Sequence, residues 1–358
     1  MAEVRTTGWD AGGTAGTGAS ADGAALASSG RWAPAGVLLP QAWRNGALVS
    51  VTHGGDGWLA IGRASAAPSA QAHVSAVPPT SRPVVLTSAT GTSWTPASAR
   101  SPLAAEGNVL AQAAAGPAGY VVVGSARTGG TAAGGAAAPA AWYSTNLSTW
   151  ARVALPVQGS YGPAGGSQAL AVTAAGPGFV AVGSAGNTPV AWTSRGGSAW
   201  NFTAVPLPAG AAGATLTQVA AQGARTVAAG YVWWAGSAPV PFTAVSADGG
   251  RTWRDARLPV PNAPAVVTAL TAAAHGFVAV GHTAPPGRPV MLAWWSSDGL
   301  SWQDGVPAGG VKGNEEASGG SLVTQINTLT AGNGTLTGAG FAVGAAAEHP
   351  VLWHARYR

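Results

Sequence analysis

Short apolar and small-residue runs separated by glycine turns recur along most of the chain, and no segment sustains a helical period. Two stretches show the repeating unit most fully. One runs Ala169-Leu-Ala-Val-Thr-Ala-Ala-Gly-Pro-Gly-Phe-Val-Ala-Val-Gly183, continues at Pro189-Val-Ala-Trp-Thr-Ser194 and reaches Trp200. The other runs Ala269-Leu-Thr-Ala-Ala-Ala-His-Gly-Phe-Val-Ala-Val-Gly281, continues at Pro289-Val-Met-Leu-Ala-Trp-Trp-Ser296 and reaches Trp302. Each reads as four strands, A to D: a small-residue strand, a Phe-Val-Ala-Val strand, a Pro-led strand and a Trp-led strand, joined by glycine turns. The unit recurs at roughly fifty residues, a period of propellers or solenoids.

Six copies are counted by their second strands: Trp58-Leu-Ala-Ile-Gly62, Tyr120-Val-Val-Val-Gly124, Phe179–Gly183, Thr226-Val-Ala-Ala-Gly230, Phe277–Gly281 and Phe341-Ala-Val-Gly344. The last copy stops near Pro350-Val-Leu-Trp-His-Ala355 with no fourth strand of its own. Near the other end, Arg31-Trp32-Ala-Pro-Ala-Gly-Val-Leu-Leu-Pro40 has the form of a fourth strand, like Trp150–Pro156 and Trp253–Pro259. The expected architecture is therefore all-β: a six-bladed β-propeller of four-stranded antiparallel blades, with residues 31–40 completing the C-terminal blade. Such closure leaves no open sheet edge. Residues 1–30, rich in Gly, Ala, Ser and Thr, read as a flexible segment, and 31–358 as one domain.

Five Trp-led hairpins mark the C–D turns: Ser88–Trp94, Ser144–Trp150, Ser194–Trp200, Ser246–Trp253 and Ser296–Trp302. Ser246-Ala-Asp248-Gly-Gly250-Arg-Thr252-Trp253 is the fullest. Its Asp can accept turn N–H groups and its glycines supply positive φ. Asp298 keeps the acid in a turn one residue shorter, while Thr90, Asn146 and Gly196 stand at that position elsewhere. These hairpins resemble the Asp-box (BNR repeat), Ser-x-Asp-x-Gly-x-Thr-Trp, of β-propellers of the sialidase-like class, and the resemblance covers nearly all the chain after residue 30. Burying a Trp removes about 150–250 Å² from water, about 4–6 kcal/mol gross, against about 1 kcal/mol for a turn hydrogen bond. The Trp is thus the residue a blade needs most, and all five hairpins keep it. The boxes are read as structural.

Composition narrows the chemistry. The chain has 358 residues, 47% hydrophobic and 8% charged, with 54 Gly, 26 Pro and 16 Trp. The net charge of +5 arises from scattered Arg residues with no basic run, so nucleic-acid binding is not expected. The excess of Arg over Lys and of Ala and Gly reads as high-GC coding, as in many bacteria. With no Cys, disulfides and thiolate chemistry are absent. No His spacing suits a metal, no Gly-rich run suits a phosphate, and no cofactor is expected. No 18-residue apolar run predicts a membrane span. Met1–Ser20 lacks the apolar core of a signal peptide. The expectation is an extracellular or cell-surface monomer, with a cytoplasmic protein as the alternative.

In such propellers the A–B and C–D turns share one face, and the B–C and D–A loops form the opposite rim. That rim would carry Trp43, Arg44, Tyr161, Trp233, Trp234, Arg288, Glu315 and Glu316 as ligand-binding candidates. Trp233 and Trp234 stand out because neighbours on a strand point to opposite faces, so both cannot enter one core. Catalytic sialidases, by resemblance, use three Arg on a carboxylate, a Tyr–Glu nucleophile and an Asp acid. No Phe-Arg-Ile-Pro motif occurs here. Asp248 and Asp298 are committed to turns, Asp255 and Asp304 follow the D-strand Trp, and Asp56 falls in an A–B turn. Few carboxylates are left for the two-carboxylate chemistry of glycosidases. The leading expectation is a non-catalytic propeller binding a glycan or a cell-surface protein. The alternatives are a divergent sialidase-like glycoside hydrolase and a scaffold or assembly factor.

Overall fold

The computed structural model describes residues 4–8, 45–65, 82–98, 100–127, 137–158, 166–259, 264–283, 291–304, 323–332, 335–343 and 348–356. Short β-branched and alanine-rich runs, many of them bounded by Gly, Pro or Ser, pair into six four-stranded antiparallel sheets. Strand β1 (Val4–Gly8) belongs to the last of them. Blade 1 holds β2 (Asn45–Gly54), β3 (Gly57–Ser65), β4 (Arg82–Ser88) and β5 (Thr95–Pro96). Blade 2 holds β6 (Val109–Gly116), β7 (Gly119–Arg127), β8 (Ala137–Ser144) and β9 (Ala151–Ala154). Blade 3 holds β10 (Ser167–Ala175), β11 (Gly178–Ala185), β12 (Thr188–Ser194) and β13 (Asn201–Ala204). Blade 4 holds β14 (Gly213–Gln222), β15 (Arg225–Trp233), β16 (Val240–Ser246) and β17 (Arg254–Ala256). Blade 5 holds β18 (Ala265–Ala273), β19 (Gly276–Thr283), β20 (Met291–Ser296) and β21 (Gln303–Asp304). Blade 6 holds β22 (Val323–Gly332), β23 (Thr335–Val343), β24 (Glu348–Arg356) and then β1, so the fold is the expected β-propeller. A short 3₁₀ turn lies at Pro102–Ala104.

An N-terminal strand does complete the C-terminal blade, but it is Val4–Gly8, with Thr6 opposite Trp353. Residues 31–40, expected in that place, lie outside the described residues. Within residues 1–30, expected to form a flexible segment, the β-branched run Val4–Gly8 covers the free edge of β24.

The core is a succession of inter-blade layers. Leu59 and Ile61 of blade 1 pack with Tyr120, Val122 and Trp142 of blade 2. Val121 and Val123 of blade 2 pack with Phe179, Ala181 and Trp192 of blade 3. Val180 and Val182 meet Leu216, Ala228 and Phe242 of blade 4. Val227 and Ala229 meet Phe277 and Trp294 of blade 5, and Val280 meets Ile326 of blade 6. Odd and even residues of one strand thus enter different layers, which explains why the B strands are apolar throughout. On β2, Ser50 and Thr52 bond to blade 2, whereas Leu48, Val49 and Val51 stay exposed.

Every A strand carries a register shift, between Leu48/Ser50, Leu110/Gln112, Ala169/Ala171, Leu216/Gln218, Val267/Ala269 and Ile326/Thr328. A β-bulge bends the strand and brings its carbonyl over the neighbour. The repeat's glycine lies at that point. A Cβ on Gly62, Gly124, Gly183, Gly230 or Gly281 would collide with the carbonyl oxygen of Ala47, Val109, Gln168, Thr215 or Val266, respectively. In blade 6 the residue opposite the bulge is Gly340, which pairs with Ile326. The expected match of that blade through Phe341–Gly344 is therefore corrected by four residues, because register rather than local likeness defines the position.

Candidate functional site

The five C–D hairpins share one hydrogen-bond scheme, which shows what they are for. Each Trp indole N–H donates to the carbonyl three residues back: Trp94 to Gly91, Trp150 to Leu147, Trp200 to Gly197, Trp253 to Gly250 and Trp302 to Gly299, at 2.8–3.0 Å. In four of them the leading Ser hydroxyl accepts the turn glycine N–H, at 2.7–2.8 Å. Blade 2 places Leu147 at that glycine position with φ 60°, the one positive-φ non-glycine among the described residues. That conformation costs an L-residue about 1–2 kcal/mol, and Leu147 offsets it by packing into the layer between blades 1 and 2.

Asp248 is the hub of the fullest hairpin. Its Oδ1 accepts from the Ser246 hydroxyl and from the Arg251 and Thr252 N–H groups, and its Oδ2 from the Thr252 hydroxyl. Asn146 does the same for Ser148 and Thr149 through a neutral amide oxygen. Asp298 accepts from Leu300, Ser301 and Ser296. Burial alone would raise the pKa of Asp248, but the bonds from Thr252, Ser246 and Arg251 outweigh it and hold the carboxyl at about 2. Asp298 is likewise lowered, first by the Ser301 N–H. A depressed pKa stabilises the fold above the unfolded value of 3.8 and is lost as pH falls through about 2. The melting temperature should therefore drop between pH 4 and 2, and Asp248→Asn should flatten that drop; identical profiles for the two proteins would refute the assignment.

These turns share one end of the blades with the A–B turns. The Gly249 N–H donates to the Ala224 carbonyl, joining the two turns of blade 4. The Tyr120 hydroxyl donates to the Gly57 carbonyl and accepts the Asp56 N–H, clamping the first turn of blade 1 to blade 2. Burial pushes this phenol above its ordinary pKa. Asp56 is thus in an A–B turn, as its Gly-Asp-Gly context implies.

At the opposite rim, Trp43, Arg44, Tyr161, Arg288, Glu315 and Glu316 lie outside the described residues. Trp233 and Trp234 are described, and they part ways. Trp234 packs against the layer between blades 3 and 4, and its indole N–H donates to the Ala209 carbonyl at 3.3 Å. The Ser237 hydroxyl bonds to both its N–H and its carbonyl. Trp233 lies instead across Gly213 on the inner strand, where a Cβ would strike its Cζ2 and would approach the Cβ of Asn187. The Trp233 carbonyl accepts the Ala212 N–H at 2.9 Å. Tyr231 stands on the same strand face, its ring centre 5.9 Å from that of Trp233. Both aromatics are partly exposed, and Gly186, Asn187 and 235–239 beside them are exposed. Sequence reasoning missed Tyr231 and Asn187. The two-residue spacing of Tyr231 and Trp233 was the available signal.

An open cavity of about 440 Å³ lies elsewhere, between the chain leaving β5 and the hairpin of blade 2. Its lining includes Arg100, Ser101, Leu147 and Trp150, with no carboxylate. It offers no acid–base pair and sits away from the Trp233 platform. Among the described residues no three His, Asp or Glu converge as for a metal ion. Asp255 and Asp304 lie in the short D strands β17 and β21. Among the described residues no helix is long and apolar enough to cross a membrane.

No family model matches the chain. No curated protein matches it either. Solved structures do. A protein of unknown function from Dyadobacter fermentans matches at a TM-score of 0.53 and 13% identity, over 89% of this chain and 96% of that one. The likeness is one of fold. A Trypanosoma rangeli sialidase in complex with sialic acid matches at 0.47 and 12% identity, over 88% of this chain but 54% of its own length. This chain therefore spans about half of that sialidase. YCF48 bound to D1 peptide matches at 0.41 and 10% identity, over 90% of this chain and 97% of that one.

Proposed function

We propose that the protein is a non-catalytic β-propeller that binds a glycan or protein ligand through the rim of its B–C and D–A loops, as a monomer outside the cell. The observation that carries this reading is the Tyr231–Trp233 pair, partly exposed at the rim end of blade 4, with the Trp233 ring laid against Gly213. Large rigid aromatics held at a surface give contact area at little entropic cost, and they dominate binding energies when they anchor a ligand. Against catalysis stands the commitment of Asp248 and Asp298 to hairpins and of Asp255 and Asp304 to D strands.

A glycan and surface-protein array tests the reading. Wild-type protein should bind a subset of ligands, and Trp233→Ala should weaken that binding about tenfold or more. Chromogenic glycosides, sialosides included, should show no turnover above a Glu315→Gln/Glu316→Gln double mutant. Turnover abolished in that mutant would replace the reading with a glycoside hydrolase.

A further inference from the structure

Resting on that reading, we infer that the ligand of the Trp233 platform is an uncharged saccharide. Among the described residues, the segments that meet around Trp233 are 184–189 and 205–217, with 229–241 beside them; none of the three contains Asp, Glu, Lys, Arg or His. A carboxylate or ammonium group brought against the platform would lose hydration with no opposite charge on these segments to compensate, which is costly. A neutral sugar has no such loss. The C–H face of a pyranose is apolar and flat enough to lie on an indole, while its hydroxyl edge needs only neutral donors and acceptors.

Both needs are met here. Trp233 is pre-positioned, its backbone bonded to Ala212 and its ring laid on Gly213, so little conformational freedom remains to be lost on binding. Asn187 is exposed beside it, and its own carbonyl accepts the Ala214 N–H at 2.9 Å, which fixes the turn that carries the amide. That amide supplies a donor and an acceptor to adjacent hydroxyls. The neighbouring stretch Ala235-Gly236-Ser237-Ala238-Pro239 is exposed and small, leaving room for a chain of sugar units. A protein partner is less well served, because protein interfaces draw on Arg and on several large anchors, and these segments hold no Arg.

Calorimetry on the full chain decides the matter, using neutral hexasaccharides of glucose, xylose and N-acetylglucosamine against sialyllactose and oligogalacturonate, each at 50 and 500 mM NaCl. At least one neutral oligosaccharide should bind, with an affinity unchanged within about twofold between the two salts. Trp233→Ala should weaken it about tenfold or more and Trp233→Phe much less. Asn187→Ala, an exposed change that keeps the backbone, should weaken it several-fold and serves if Trp233→Ala fails to fold. Binding confined to the anionic sugars or to array proteins, yet dependent on Trp233, would overturn the neutral-saccharide inference and leave the rim reading standing. Binding that no variant at Trp233 or Asn187 alters would overturn both.

Discussion

Gly183→Ala is expected to lower the stability of the chain by about 3 kcal/mol or more, the upper range for overpacking against a rigid partner. The added methyl would meet the Gln168 carbonyl, a backbone atom in the bulge of β10, and not the tip of a side chain that can swing away. Relief would require the bulge to flatten. That would shift the register of β10, whose Ala171 and Val172 enter the layers toward blades 4 and 2. Gly196→Ala is the control: it is exposed in the hairpin of the same blade, and a Cβ there meets nothing within 4 Å. Thermal denaturation should separate the two variants clearly. Equal melting temperatures would show that the bulge yields, and that the repeat keeps its glycine for another reason.

The bulge shows which parts of the fold were legible. Short apolar runs, glycine turns and the Ser-to-Trp hairpins are local signals, and they marked the strands of blades 3 and 5 closely. The glycine closing each Phe-Val-Ala-Val run was visible as a period marker, but its cause was not, since the obstructing carbonyl comes from a different strand. The same limit explains the last blade. Phe341-Ala-Val-Gly344 copies the motif by sequence, yet pairing across β22 assigns the bulge position to Gly340. It also explains the closing strand: a local pattern says that Trp32–Pro40 suits a strand, while the partner on β24 is set by long-range pairing, here with Val4–Gly8. At the rim, adjacency marked Trp233 and Trp234 as unable to share a core. Which one packs toward blade 3 depends on the chain from Val205 to Ala211, and that chain takes Trp234, while both stay partly exposed.

Trp192→Ala should cost about 3–5 kcal/mol, the range for removing a core Trp, and replacement by Phe separates packing from hydrogen bonding. Trp192 is fully buried between blades 2 and 3, and its indole N–H donates to the Pro156 carbonyl of the preceding blade at 2.7 Å. Trp294 of blade 5 repeats this contact with Pro259 of blade 4 at 2.6 Å. Trp142 occupies the same place in blade 2, but among the described residues its indole N–H has no partner. The chain leaving blade 1 runs Thr95-Pro96-Ala97-Ser98, without the Leu-Pro step that presents the carbonyl elsewhere. Trp192→Phe removes the donor of its part-buried bond, a net loss of about 1 kcal/mol beyond lost packing, since the carbonyl of the exposed Pro156 can turn to water. Trp142→Phe removes an N–H that was already unpaired and so carries no such addition. Chemical denaturation should therefore rank Trp192→Phe as more damaging than Trp142→Phe by about 1 kcal/mol. A reversed order would mean that packing alone joins the blades, and that the indole-to-proline contact is incidental.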